Sequence, residues 1–341
     1  MERFFAGLDV SKDETAICVR GEDGPVVIAR KTSTDADAIL EVLKGLGSKL
    51  VRVILETGRM ANWLHGELAR RDLPVICVDA RQAHAVLSQM HNKTDANNAA
   101  MLADLARTGF FRKVVVKSRR GQELRALLAA REAAIGARRN AENTIRGLLA
   151  SFGSRLPREP RTYEARVRSV LDGHDALARI ILPLLTLRTE ALRQAASLTK
   201  ELVRQTRGSD ECVRLMTIPG VGTVTAAAFV ATIDTPERFS RSRSVGAYAG
   251  LTSRRYQSGA VDYGGRISKR GDRLLRTMLY EAANSLLCRV RPGVGQQLKD
   301  WAMALKQRTS HKKAVVALAR KLAVMMHAIW VSGGIFEPRE A

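Results

Sequence analysis

Apolar positions in the first third of the chain fall into short runs, some unbroken and some alternating, followed by stretches of helical spacing. Phe4 to Val10 is apolar, Thr15 to Arg20 alternates, and Val26 to Ala29 follows a turn at Gly21 to Gly24, which predicts three short strands in hairpin succession. Asp35 to Leu46 has helical spacing, Val51 to Leu55 reads as a buried strand, Met60 to Arg70 as a helix and Val75 to Val78 as a further strand. Thr94 to Arg107 reads as a helix with an N-cap candidate at its start. A mixed sheet flanked by helices follows.

Residues 118–208 show no strand pattern. Leu124, Leu127, Leu128, Ile135, Ile145, Leu148 and Leu149 mark one long helix; Leu177, Ile181, Leu184, Leu192, Leu198 and Leu202 mark another, bent at Pro183, with Gly153 to Pro160 between them. Narrow apolar seams and Arg-rich outer faces predict an antiparallel hairpin that either packs on its own domain or pairs with another protomer as a coiled coil. Residues 209–341 open with Ile218, Pro219, Gly220, Val221 and Gly222 ahead of a small-residue helix from Thr223 to Thr232. This turn resembles a helix-hairpin-helix, whose backbone amides bind phosphate, and Gly220 and Gly222 are the candidate contacts. A tight corner that merely packs two helices is the alternative. Leu274 to Leu287 and Ala314 to Val331 have broad apolar faces expected to build the core of this region.

Charge changes the picture. The 341 residues carry 56 Lys and Arg against 34 Asp and Glu, a net +22. Residues 1–110 hold 14 against 15, residues 111–208 hold 21 against 9, and residues 209–341 hold 21 against 10. A neutral block followed by two basic ones predicts that one part carries carboxylate chemistry while the others hold a polyanion, with nucleic acid as the expected partner. The four cysteines form no CxxC pair and the six histidines show no metal-pair spacing, so reduced, mostly buried thiols are expected and a disulfide framework or zinc site is not. No apolar run approaches the ~18 residues of a membrane span, and the start lacks the pattern of a signal peptide, so the expectation is a cytoplasmic protein without membrane contact.

Asp9 ends the first predicted strand and Glu56 follows the central one; strand ends converge on the crevice of an open α/β sheet. Asp95 begins the last helix of the domain, and position 98, one turn later, shares its face. This layout fits a divalent-metal site, in which carboxylates from several elements position the oxygens of a phosphodiester. Singly, Asp9 also reads as a turn former, Glu56 as a cap and Asp95 as a helix N-terminal charge. Asp79 and Asp104 are weaker candidates.

GLDVSKDE, ILETG, HNKTDANNAAMLADLART, IPGVGTVTAAAF and YAGLTSRRYQSGAVDYGGRISKRG, in this order, closely resemble the IS-one-ten family of insertion-sequence transposases, the DEDD recombinases. The resemblance implies an N-terminal RuvC-like RNase H fold over 1–115, a helical coiled-coil insertion over 116–208, and a mainly helical C-terminal transposase domain with a nucleophilic serine over 209–341. It implies a bacterial enzyme on nucleoid DNA that cuts and rejoins donor and target duplexes through a covalent phosphoserine. It further implies a structured guide RNA of the bridge type, Mg²⁺ with Mn²⁺ as substitute, and homodimers that pair into tetramers.

Carried over by motif, the four family acids fall on Asp9, Glu56, Asp95 and position 98. The family motif would read KTDxxDA; this chain reads KTDANNA, so the fourth ligand is Asn98, which keeps a carbonyl oxygen but loses a charge. The nucleophile maps to Ser258, with Arg254, Arg255, Arg266, Lys269 and Arg270 close in sequence to neutralise phosphate charge, and Gly259 to allow close backbone approach. From the residues alone Ser258 reads first as an ordinary turn serine, and Ser253 and Ser268 are its nearest competitors. Two rivals stand beside the recombinase: a metal nuclease of the Holliday-junction-resolvase class, and a nucleic-acid-binding descendant weakened by Asn98.

Overall fold

The computed structural model describes residues 2–80, 94–156, 162–290, 293 and 295–338. The chain forms two compact units, Met1–Lys117 and Ser118–Ala341.

The first unit is built on a mixed five-stranded sheet. Its strands are β1 (Phe4–Val10), β2 (Glu14–Gly21), β3 (Val26–Ser33), β4 (Leu50–Glu56) and β5 (Val75–Val78), in the order β3-β2-β1-β4-β5. β1 pairs antiparallel with β2 and parallel with β4, so it is central and buried on both faces, which explains its unbroken apolar run. Phe4, Ala6 and Leu8 pack on one face with α1 (Ala36–Leu43) and α2 (Ala61–Ala69). Phe5 faces the other way, against Leu102 and Leu105 of α3 (Asp95–Thr108). α3 begins where Thr94 accepts the backbone N–H of Asn97 at 3.2 Å and ends at Gly109, whose φ of 72° only glycine adopts at little cost. Between those caps, Gly7 lets the helix lie directly on β1. A Cβ there would sit 2.2 Å from the Ala99 carbonyl oxygen and 2.3 Å from the Ala103 nitrogen.

Among its described residues, the second unit is helical apart from one hairpin. α4 (Arg119–Ser151) and α6 (Asp175–Arg207) pack against each other, with α5 (Tyr163–Leu171) on them. Arg131 bonds Thr199 and Glu142 bonds Arg188, so the two long helices run antiparallel. α6 continues through Pro183 as one helix. Its base joins the main core: Leu124, Leu128 and Leu202 pack with α7 (Asp210–Leu215), α8 (Thr223–Ile233), α10 (Arg273–Cys288), α11 (Gln296–Arg308) and α12 (His311–Ser332). Farther along, Ile145, Leu149, Ile181 and Leu185 form a separate small core with Tyr163, Val167 and Leu171 of α5. Of the expected connector from Gly153 to Pro160, the part beyond Leu156 lies outside the described residues, as do His91 to Lys93 of the HNKTD motif.

α12 is long and apolar enough to cross a membrane, but Ala314, Leu318, Leu322 and Met326 on it are fully buried within the unit. The sequence predicts a mainly helical segment over 209–341, and the structure adds two strands there, β6 (Ser253–Ser258) and β7 (Val261–Ile267), preceded by α9 (Arg243–Tyr248). Their two-residue connection, Gly259–Ala260, with φ of 55° at Gly259, is the usual geometry of a tight hairpin.

Candidate functional site

On the first unit the site is set by strand register. Leu8 of β1 lies opposite Leu55 of β4, so Asp9 and Glu56 follow as the next residues on adjacent parallel strands. Leu8 and Leu55 face the α1–α2 side, and alternation turns Asp9 and Glu56 to the opposite face, beneath α3. The close crossing at Gly7 brings the start of α3 over the end of β1. There Asn98 Nδ2 donates to Asp9 Oδ2 at 2.9 Å.

Asp95 occupies the first turn of α3, one turn before Asn98, and is drawn sideways. Lys31 Nζ of β3 donates to its Oδ2 at 2.6 Å and lies 3.9 Å from Glu14. That hydrogen bond, reinforced by the ammonium charge, holds the Asp95 carboxyl below the usual carboxylate range. The same contact raises Lys31, with Glu14 and Asp9 adding to it, so the ammonium feels the field of the strand-end acid as well. Next to Glu56, Cys77 of β5 is pushed up to about 11, chiefly by burial and then by the Glu56 charge. Among the described residues, no three His, Cys, Asp or Glu side chains are grouped closely enough to hold an ion. Asp104, a weaker candidate, is committed to Arg20 at 3.2 Å and Arg107 at 3.4 Å.

On the second unit, Ser258 ends β6 opposite Val261, exposed at the hairpin tip. Tyr256 lies opposite Tyr263, and their rings stack with centroids 5.4 Å apart. Arg254, Arg255, Arg266 and Lys269 line, with both tyrosines, one open cavity of about 510 Å³. Arg255 is already engaged: it grips Asp262 through two bonds of 2.9 and 2.5 Å. Arg254 Nη2 donates to the Ser268 carbonyl at 3.3 Å, tying down the hairpin base.

Gly220 and Gly222 separate in role. Gly220, at φ 84°, packs against α10, where a Cβ would meet the Ala282 carbonyl at 2.5 Å; Gly222 N-caps α8 and has open space beside it. The contact at Gly220 is that of a packed helix corner. A larger cavity of about 630 Å³ lies between α11, α12 and the C-terminal segment, and none of the candidate residues lines it.

Sequence reasoning missed Lys31 and the two tyrosines. Lys31 left no local signal, because the contact joins residues 64 apart. The tyrosines were detectable: two short runs flanking Gly259–Ala260 make a hairpin pattern in which positions 256 and 263 face each other.

A neutral α/β unit with acids at its strand ends, joined to a basic helical unit, fits the general class of proteins that handle nucleic acid. Residues 212–299 match the model described as Transposase IS116/IS110/IS902 family, and residues 6–153 match a transposase model of the DEDD type from IS110 elements. The chain is 29% identical over 328 residues to the transposase for insertion sequence element IS1111A of Coxiella burnetii, covering 95% of this chain and 88% of that one. A putative transposase of Sinorhizobium fredii is 31% identical over 73% of this chain and 65% of its own. The transposase for element IS1328 of Yersinia enterocolitica is 29% identical over 72% and 74%. The chain belongs to the IS110/IS116/IS902 family of insertion-sequence transposases.

The DEDD-type domain implies dependence on a divalent cation. The donor chemistry here fits one: Asp9 and Glu56 offer hard oxygens from adjacent strand ends, and a half-turn of the Asn98 amide exchanges its nitrogen for its carbonyl oxygen. Asp95 joins that set only by leaving Lys31.

Proposed function

We propose that this transposase is an RNA-guided recombinase that cuts and rejoins duplex DNA through a covalent phosphoserine at Ser258, with Asp9, Glu56, Asp95 and Asn98 as the cation-binding positions of an RNase H-like domain. The observation that carries the reading is the hairpin: Ser258 stands exposed at its tip, on a strand whose neighbours supply Arg254, Arg266 and Lys269 to one cavity. Those cations offset the charge that builds on a phosphodiester under attack. In the first step the Ser258 Oγ–phosphorus bond forms as the bond to a deoxyribose oxygen breaks. The serine proton passes to solvent and the departing oxygen takes up a proton. In the second, a free hydroxyl of another DNA end attacks the phosphoserine and the serine recovers its proton.

Bound at the strand ends, Mg²⁺, or Mn²⁺ in its place, supplies charge neutralisation at the phosphate. Asp9, Glu56 and Asp95 would hold it with carboxylate oxygens, and Asn98 would add a neutral carbonyl oxygen once its amide turned. The net +23 of residues 111–341 fits a guide RNA as well as duplex DNA; on this reading the protein works on nucleoid DNA in the cytoplasm as a dimer that pairs into a tetramer.

A second reading has its own support. Lys31 on Asp95 and the amide of Asn98 on Asp9 both lower the negative charge of the site, as in a protein that binds nucleic acid without cutting it.

One assay separates the readings. The protein is incubated with element-end and target DNA, with and without the element's noncoding RNA, at millimolar Mg²⁺, and run on denaturing gels before and after protease. Protein-linked DNA that requires the RNA and disappears in Ser258→Ala is expected. Free cut ends with no adduct would make it a metal nuclease, and a mobility shift without cleavage would make it a binder.

A further inference from the structure

The β6–β7 hairpin has a feature that cleavage chemistry leaves unexplained. Tyr256 and Tyr263 sit directly opposite one another with rings 30° from parallel, yet they are 56% and 58% exposed. A cross-strand aromatic pair stabilises a ribbon, which accounts for their facing each other. It does not account for their company. Arg254, Arg266 and Lys269 line the same cavity, and Arg255 beside them is neutralised by Asp262, an arrangement that would repel a basic partner and offers an apolar one little. A nucleic-acid strand with unpaired bases presents both complements, a π face for the rings and phosphates for the cations.

Position along the strand narrows the occupant. Alternation puts Tyr256 and Ser258 on one face of β6, two residues or about 6.8 Å apart, while Arg255 and Asp262 pair on the other. That separation is about the reach of one nucleotide in an unstacked strand. A base held on the tyrosines would fix the phosphate beside it near the Ser258 hydroxyl.

We propose that Tyr256 and Tyr263 form a stacking platform for an unpaired base of single-stranded DNA, on the nucleotide adjacent to the one Ser258 attacks. The choice of DNA rests on the nucleophile reading of Ser258; the stacking rests on the rings and the cations alone.

The test uses the full chain and a fluorescein-labelled twelve-residue oligothymidylate, titrated by anisotropy at several salt concentrations, with oligouridylate and a duplex of the same length as comparisons. Tyr256→Ala and Tyr263→Ala are each expected to weaken oligothymidylate binding about 5- to 150-fold, the range for loss of one stacked base, with the slope of affinity against salt unchanged. Tyr256→Phe, which keeps the ring, is expected to stay within about threefold. Arg266→Ala should instead flatten the salt slope. Because alanine also weakens the hairpin, the unsubstituted protein is photocrosslinked to an oligonucleotide carrying 5-iododeoxyuridine and the adduct mapped by mass spectrometry; the expected site is Tyr256 or Tyr263. Alanine variants that bind normally, a Phe variant as weak as the Ala variant, a crosslink elsewhere, or tighter ring-dependent binding of oligouridylate or duplex would each overturn the proposal. Failure of the nucleophile reading is distinct: the covalent adduct would survive Ser258→Ala with the crosslink still at the tyrosines.

Discussion

At the scale of single residues, the acidic site is a balance of charge. The Lys31 ammonium engages Asp95 and the Asn98 amide engages Asp9, so with Glu56 the candidate positions carry about half the negative charge that four acids would bring to a divalent-cation site. Asn98→Asp is therefore expected to tighten Mn²⁺ binding about 10- to 100-fold, and Lys31→Met, by releasing Asp95, about tenfold. Electron paramagnetic resonance of free Mn²⁺, titrated with protein in the absence of DNA, measures both. An unchanged affinity in Asn98→Asp would remove position 98 from the ligand set. The elements that carry these acids were legible in the sequence, because strand ends and helix first turns are local features: Asp9 and Glu56 lie at strand ends and Asp95 in a first turn, as the apolar pattern predicts. Lys31 was not, since which polar residue of an edge strand meets which helix is fixed only by packing.

Among the elements, the long helical pair departs most from what its sequence conveys. Arginines read as outer-face residues, yet Arg188 of α6 is 4% exposed and lies in the seam. Its Nε bonds Glu142 of α4 at 3.1 Å, with Arg138 and Arg146 of α4 at 3.7 and 3.6 Å from the same carboxylate. The Tyr163 hydroxyl donates to the Glu142 carbonyl at 2.9 Å, and the Arg146 and Arg188 guanidinium groups lie over its ring. One carboxylate thus serves three guanidinium groups in a largely dry place. Glu142→Gln should cost about 3–5 kcal/mol, because it removes the buried negative charge that three guanidinium groups share, whereas a Glu142→Met, Arg188→Met pair should cost far less. Urea unfolding of the two variants checks the difference, and equal losses would refute it. Periodicity cannot reveal such a pair, since it scores arginine as polar wherever it stands.

For the molecule as a whole, burial sorts the thiols. Cys18, Cys77 and Cys212 are buried and Cys288 is exposed. Burial raises the first three, Cys77 to about 11, so at pH 8 their reactive thiolate is scarce as well as covered. A thiol reagent should titrate one cysteine per native chain and four after denaturation. Two or more fast thiols in the native protein would contradict this packing. The same division of labour separates the neutral first unit, which owes its shape to close backbone crossings, from the basic remainder. At Gly7 the fit between α3 and β1 is made by backbone, so what stands at position 98 is decided separately from whether the domain folds. On the proposed reading of the site this has a genetic consequence. A single transition in one codon exchanges Asp and Asn, so a copy of the element can loosen its hold on the cation, and slow its cutting, while still making a folded protein that competes for the same nucleic acids. A second transition restores it.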